Sequence, residues 1–472
     1  MVNRDNSSNE ALLRGLPAVQ RLLDEPELRA LQTQCGRDAV LSAVRETVAS
    51  VRTEILSGQF RIEGNGAATS AAVIQRVVMR VQRHFSGGVR RVINATGVIL
   101  HTGLGRAVLP AAAIQAIVKE LSGFAAVEVD VESGTRGHRD DTVCDLITTL
   151  LNCEHATIVN NNAAATMLAL AAIARGKEVI VSRGQLVEIG GSFRVPDVMR
   201  ESGCKLVEVG TTNRTYIRDF ATAITPETGA LMLVHTSNFR IVGFTAEPTV
   251  RELAELARKH NLPLIYDIGS GALLPGLADE LREEPVVKQA LDDGADLVLF
   301  SADKILGAAQ GGIAAGRKDL VEKLRRHPLY RAFRVDKLTL RAVETTLQLY
   351  LHPEKRAEEI PTLRMLKRTL ASISDEAAAL ATAITRANNQ LEALCLEDSS
   401  RLGSGSLPER NIPTRVVALR HATLPAAELG AKLRAHTPPI FTRIQDERVY
   451  IDPRTLLPGD GEEIVRAVTA LA

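Results

Sequence analysis

Tryptophan is absent and aromatic residues make up only 3% of the chain, so a broad base-stacking platform is not expected. Cysteine is sparse too. Cys35, Cys144, Cys153, Cys204 and Cys395 are odd in number and never spaced C-x-x-C. That excludes a zinc ribbon or a disulfide framework, leaves no metal site in prospect, and fits reduced structural thiols in a cytoplasmic protein. Neither sign of charge dominates: the formal net charge is +1, so nothing global selects a polyanion or a membrane surface. The longest apolar run, near Ala163–Ala174, is too short to span a bilayer. The polar start, Met1–Ser8, lacks the apolar core of a signal segment. No G-x-G-x-x-G follows a strand, and neither G-x-x-x-x-G-K-[ST] nor H-E-x-x-H occurs, so dinucleotide, P-loop and zincin readings lack their fingerprints.

What remains is a chain of 472 residues, long enough for two or three domains with ample core. Residues 1–88 read as helical, with apolar residues at three and four spacing in Glu10–Leu23, Glu27–Leu31, Asp38–Leu56 and Ala71–Phe85, punctuated by Pro26 and Gly64-Asn65-Gly66. Residues 1–91 hold 13 Arg, no Lys and 9 acidic residues. Arg76, Arg80 and Arg83 share one helix face, which suits either phosphate contacts or a solvated surface.

From Val92 the pattern becomes strand–helix alternation, as a largely parallel sheet requires. Strands are predicted at Ala156–Val159, Glu178–Val181, Lys205–Val209, Leu231–His235, Leu264–Asp267, Leu297–Phe300 and Gly312–Ala315. After a helix over Lys337–Leu351, helices are expected through Glu354–Cys395, then a Gly/Ser/Pro-rich connector, Ser400–Pro413. A strand at Thr414–Arg420, a helix at Ala426–His436, strands at Ile440–Gln445 and Arg448–Ile451, and a helix at Gly461–Leu471 follow. The organisation is therefore a helical domain (1–88), a large α/β domain (89–345) and a small C-terminal α/β domain (346–472).

Three stretches carry chemistry. Asp296–Phe300 is a short buried strand, followed by Ser301, Asp303 and Lys304 and then by a segment of Ala and Gly up to Gly316. A lysine fenced by small residues serves either as a Schiff-base lysine beside a flat cofactor, pyridoxal phosphate, or as an ordinary loop lysine. Pro263–Asp267 is a second apolar strand, ending in a carboxylate 37 residues before Lys304. Ligands of open α/β sheets sit beyond the carboxyl ends of the strands. Asp267 there suits the proton on a pyridine nitrogen, a helix cap or a metal ligand. The third stretch is His155–Val159 followed by Asn160-Asn161-Asn162-Ala163, a strand running into a capped helix whose first amides suit an anion. Ser301 could add a hydroxyl to the same phosphate.

Together these motifs resemble, almost end to end, the bacterial selenocysteine synthase family, L-seryl-tRNA(Sec) selenium transferases of fold type I among pyridoxal phosphate enzymes. The resemblance rests on Leu16–Leu23, Ile93-Asn-Ala-Thr-Gly97, Leu100-His-Thr102, Leu104-Gly-Arg106, Val159–Ala165, Ser182-Arg-Gly184 and Val187–Gly191. It continues through Thr211-Thr-Asn213, His235-Thr-Ser-Asn238, Asp303-Lys304, Arg443-Ile444, Asp452 and Arg454–Leu457. The chain has Ala302, Ala308-Ala309, Gln185 and Gly103 where the family pattern has Gly, Gly-Pro, Glu and Asn.

The resemblance implies Lys304 as the lysine that binds the cofactor and Asp267 as the partner of its ring nitrogen, beside the phosphate seat already read at Asn161, Asn162, Ala163 and Ser301. It implies Arg106, Arg331 and Arg334 around the selenium donor; without it, the last two also read as solvated helix residues. The implied activity converts seryl-tRNA(Sec) to selenocysteinyl-tRNA(Sec) with selenophosphate, through a cofactor-bound aminoacrylyl intermediate. The implied assembly is a homo-oligomer, a ring of dimers such as a decamer, with the N-terminal domain reading tRNA. The alternative is a pyridoxal lyase acting on a small amino acid or a phosphorylated amino sugar, which would not need residues 1–88.

Overall fold

The computed structural model describes residues 12–57, 66–85, 88–189, 193–403 and 411–471. The turn at Gly64-Asn65, the pair Gly190-Gly191, the connector core 404–410 and the Arg83 side chain lie outside the described residues. The chain forms two compact units, Met1–Arg91 and Val92–Ala472.

The first unit contains the helices Val19–Leu23, Pro26–Cys35, Arg37–Leu56 and Gly66–Phe85. Pro26 opens a helix at its first position, where its missing N–H costs nothing. Leu28, Val40, Val44, Val51, Ile55, Val73 and Val77 are fully buried in one core, the expected outcome of the three–four spacing. The arginine face is partly spent on internal pairing. Arg76 meets Glu54 at 2.7 Å and Arg80 meets Glu46 at 3.1 Å.

In the second unit the seven expected strands form one sheet: β1 (His155–Val159), β2 (Glu178–Ser182), β3 (Lys205–Val209), β4 (Thr228–Val234), β5 (Leu264–Gly269), β6 (Leu297–Ser301) and β7 (Gly312–Gly316), in the order β1-β7-β6-β5-β4-β2-β3. Pairing is parallel from β6 to β3, while β7 runs antiparallel to both β6 and β1. Both faces are covered, and β6 shows it residue by residue. Val298 and Phe300 enter one apolar core, Leu297 and Leu299 the other, so a continuous apolar run is needed where an exposed strand would alternate.

A second sheet is built from β8 (Leu391–Ser400), β9 (Ile412–His421), β10 (Arg443–Gln445) and β11 (Arg448–Ile451), all antiparallel in the order β8-β9-β11-β10. Here one expectation fails. Leu391–Cys395 is strand, not helix. Its Leu, Glu and Ala are good helix formers, but propensity yields to tertiary context, and ten residue pairs with β9 override it. The motifs at 93–97 and 452–454 meet in this region. Ile93–Asn94 pairs with Ile440–Phe441, and Gly97, at φ 76°, lies so close to Asp452 that a Cβ would sit 2.1 Å from its carboxylate. Asp452 also accepts from Ser400 and Thr414 at 2.7 and 2.9 Å. The fully buried Arg454 bonds Ser400 and the carbonyls of Met365 and Pro413. These residues join the segment leading to Arg106 to the second sheet.

Candidate functional site

The carboxyl ends of β4, β5 and β6 open into one cavity of about 360 Å³, lined by residues that include His235, Asp267, Ser301 and Lys304. Lys304 lies three residues beyond β6 and is 5% exposed. Its loop is fixed from three sides: Ile305 N–H donates to Ser270 O at 3.1 Å, Gly307 N–H to Lys304 O at 3.0 Å, and Ala107 N–H to Asp303 O at 3.3 Å. Burial, reinforced by the nearby Arg106 guanidinium, holds the Lys304 amine below its ordinary pKa.

Asp267 ends the regular part of β5, where the register with β6 shifts between Asp267 and Gly269. A bulge of this kind re-aims a side chain. Its carboxylate is 4% exposed and accepts from Asn162 Nδ2 at 2.8 Å and Thr166 Oγ1 at 3.0 Å. Burial raises its pKa, while those two hydrogen bonds and Lys304 pull the other way. Both donors stand on the helix Asn162–Ala174, so the same helix start that lines the cavity also orients the acid.

At that start, Asn161 caps the helix by accepting the Ala164 N–H at 2.9 Å. The amides of Asn162 and Ala163 belong to the first turn, which an α-helix leaves without internal partners, and suit an anion. Gly312 lets β7 pass beneath this turn, since a Cβ there would sit 2.1 Å from Asn161 O. Gly312→Ala is therefore expected to displace the turn and weaken the affinity for pyridoxal phosphate by about ten-fold or more, read by equilibrium titration of the visible band.

Arg106 also lines the cavity. It adopts the left-handed region, at φ 61°, which costs a non-glycine residue roughly 1 kcal/mol. The conformation is held by its N–H bond to His101 O at 3.0 Å and by an ion pair to Asp303 at 2.7 Å.

Arg331 and Arg334 are not brought into the cavity within one chain. Both are exposed. The helix Pro328–Ala332 carries Arg331 but ends before Arg334, so the two do not share a helix face. They do flank Phe333, whose carbonyl accepts the Asn160 N–H at 2.9 Å, which ties their segment to the base of the capped helix.

Two further residues bear on the site. His235, directly after β4, faces the cavity and has Nδ1 3.1 Å from Ile268 O. Burial above all, with Lys304 adding to it, pushes its pKa down to about 4, so it is neutral at pH 7. A histidine closing an apolar strand was the available sequence signal. Gln185 is buried and accepts the Val234 N–H at 3.0 Å, so the amide at this position supports the end of β4. Among the described residues, no cluster of His, Cys, Asp or Glu is arranged to hold a metal, and no helix is long and apolar enough to cross a membrane.

The donor set fits pyridoxal phosphate: a buried amine of lowered basicity, a buried carboxylate with two hydrogen-bond donors, and a helix start cleared by a glycine. The model of the family described as L-seryl-tRNA selenium transferase matches residues 92–457, and that of the selenocysteine synthase N terminal matches residues 13–52. The L-seryl-tRNA(Sec) selenium transferase of Alkaliphilus metalliredigens is 44% identical over 98% of this chain and 99% of its own length. That of Geobacter sulfurreducens is 43% identical, covering 97% and 98%. Among solved structures, a D-glucosaminate-6-phosphate ammonia-lyase aligns with a TM-score of 0.56 at 22% identity, over 83% of this chain and 98% of that one. That likeness shows the fold alone.

Proposed function

Because the chain belongs to the L-seryl-tRNA selenium transferase family, we propose that the cavity beyond β4–β6 is where its reaction takes place. The protein is a pyridoxal-phosphate-dependent transferase of fold type I that converts L-seryl-tRNA(Sec) to L-selenocysteinyl-tRNA(Sec). In net terms the serine β-oxygen is exchanged for selenium from selenophosphate, and phosphate departs. The observation that carries the assignment of residues is the convergence of buried Lys304 and buried Asp267 on one cavity.

Lys304 Nζ is the attachment point for the cofactor, and Asp267 holds a proton at the ring nitrogen. The amides of Asn162 and Ala163 and the Ser301 hydroxyl seat the phosphate, with Asn161 fixing the helix start. When bound, the cofactor supplies an electron sink for the charge left at the substrate Cα. Lys304 Nζ would take the proton from the substrate Cα, and its lowered basicity favours the free amine.

Arg106, held beside Lys304 by Asp303, receives the phosphate of the selenium donor. A guanidinium fork suits that oxyanion better than an ammonium does. Arg331 and Arg334 complete the donor site in an assembled homo-oligomer, an arrangement supported by their exposure and by the tie between Phe333 and Asn160. The N-terminal helices bind the tRNA.

The visible spectrum of the holoprotein tests this reading. The band is expected to shift on adding seryl-tRNA(Sec) and not on adding free serine, and a protein lacking residues 1–91 is expected to keep the band but lose the response. A shift with serine alone would return the assignment to a small-molecule lyase.

A further inference from the structure

The helix Asp141–Leu151 is preceded by a carboxylate that the fold keeps away from water. Asp140 is 1% exposed, and its partners come from three separate elements. Arg325 Nη2, on a side chain only 7% exposed, lies 3.0 Å from Asp140 Oδ1. Thr157 of β1 donates its hydroxyl to Asp140 Oδ2 at 2.6 Å, and Tyr330 donates its own to the same oxygen at 3.0 Å. Burial above all, with the charge of Asp140 adding to it, pushes the Tyr330 phenol above its ordinary pKa, so the phenol keeps the proton it donates.

Tyr330 directly precedes Arg331, and the backbone beyond it is tied twice more. Phe333 O accepts the Asn160 N–H at 2.9 Å, and Val335 O accepts from Arg139 Nη1 at 2.8 Å. The adjacent residues Arg139 and Asp140 therefore hold the two ends of 330–335, with Arg331 and Arg334 between them. Leu329, Tyr330 and Phe333 pack against the apolar core that Leu297 and Leu299 enter. That packing is non-directional, and a five-residue helix is too short to hold its own conformation, so the hydrogen bonds set the direction. The reaction as described uses none of Asp140, Arg325 and Tyr330. Nor is a buried ion pair an efficient source of stability, since apolar residues of similar volume often do as well or better.

We propose that Asp140 is a positioning residue for the selenium donor: through Tyr330 it fixes the backbone from which Arg331 and Arg334 reach the donor's phosphate. The inference rests on the proposed donor role of those two arginines. A guanidinium fork recognises an oxyanion in one orientation, and a shift of about 1 Å in a positioning group can cost on the order of 10²-fold. Cofactor and RNA are held by other residues, so the effect should fall on the donor alone.

The test uses the Tyr330→Phe holoenzyme, which keeps the ring and its packing and loses the bond to Asp140, beside Arg331→Ala, Arg334→Ala and the double variant Tyr330→Phe/Arg331→Ala. Tyr330→Phe is expected to raise KM for selenophosphate by about ten-fold. Its kcat at saturating donor, KM for seryl-tRNA(Sec), visible band and band response to seryl-tRNA(Sec) should stay as in wild type. Asp140→Asn should do the same and also melt lower, because it leaves the buried Arg325 charge beside a neutral partner. In the double variant the two rises in donor KM should combine to less than their product, as expected of a residue that acts through its neighbour. An unchanged donor KM in Tyr330→Phe, an equal rise in KM for both substrates, or rises that multiply in full would each overturn the positioning role. If Arg331→Ala and Arg334→Ala both left the donor KM unchanged, the donor assignment itself would fall, and this inference with it.

Discussion

The Lys304→Met protein is expected to purify without the visible band and to lose turnover by more than about 10⁴-fold, since it removes the attachment point and the base together. Methionine matches the length of the lysine stem and is apolar, so the cavity should stay packed. The same substitution is expected to raise the melting temperature of the cofactor-free protein. The reasoning is electrostatic. Burial and Arg106 set the folded-state pKa of Lys304 below its ordinary 10.5, so the folded protein carries the penalty of a buried ammonium wherever that amine is charged. The penalty is full below the folded pKa and disappears as pH rises through 10.5. The variant's thermal advantage should therefore be largest at low pH and shrink as pH rises, in melts followed by circular dichroism. An inactive variant that melted lower at every pH would mean that Lys304 is held by its carboxylate neighbours rather than strained by burial. Residual turnover above one part in a thousand would remove it from the base's role.

How much of this could be read from the chain differs from residue to residue. The order β1, β5, β6 along the sequence, each strand followed by its chemistry, was legible because strand ends and their polar residues are adjacent in sequence. Lys304, Asp267 and Asn161–Ala163 thus needed only the general rule that α/β sheets bind at their carboxyl ends. The hydrogen bonds from Asn162 and Thr166 to Asp267 were not legible. They join positions about a hundred residues apart, and nothing in a capped helix announces which strand its second turn will touch. Arg331 and Arg334 show the reverse difficulty. Both read as helix residues, but Pro328 begins a five-residue helix that stops short of Arg334. Leu391–Ser400 was misjudged because long-range pairing, not local preference, decides a half-exposed strand.

Asp267→Asn isolates the electrostatic role of the acid from its packing. The amide has the same shape and can still face Asn162 and Thr166, and Lys304 is untouched, so the holoprotein should keep its visible band and its response to seryl-tRNA(Sec). Turnover, however, is expected to fall by about 10³-fold, roughly 4 kcal/mol in the barrier, because a neutral amide does not keep the ring nitrogen protonated and the electron sink is weakened. The carboxylate is well placed for that task. Burial raises its pKa. The two side-chain donors and Lys304 oppose that tendency, and a protonated ring nitrogen would add a positive charge beside the carboxylate. A cofactor analogue methylated at the ring nitrogen carries a fixed positive charge and needs no proton, so it should recover part of the loss in Asp267→Asn and none in Lys304→Met. If the analogue restored nothing while binding normally, Asp267 would act by placing the helix start rather than by holding charge. In that case substitutions at Asn162 and Thr166, which bond the carboxylate to the helix start, should give a comparable loss that the analogue likewise leaves unrestored.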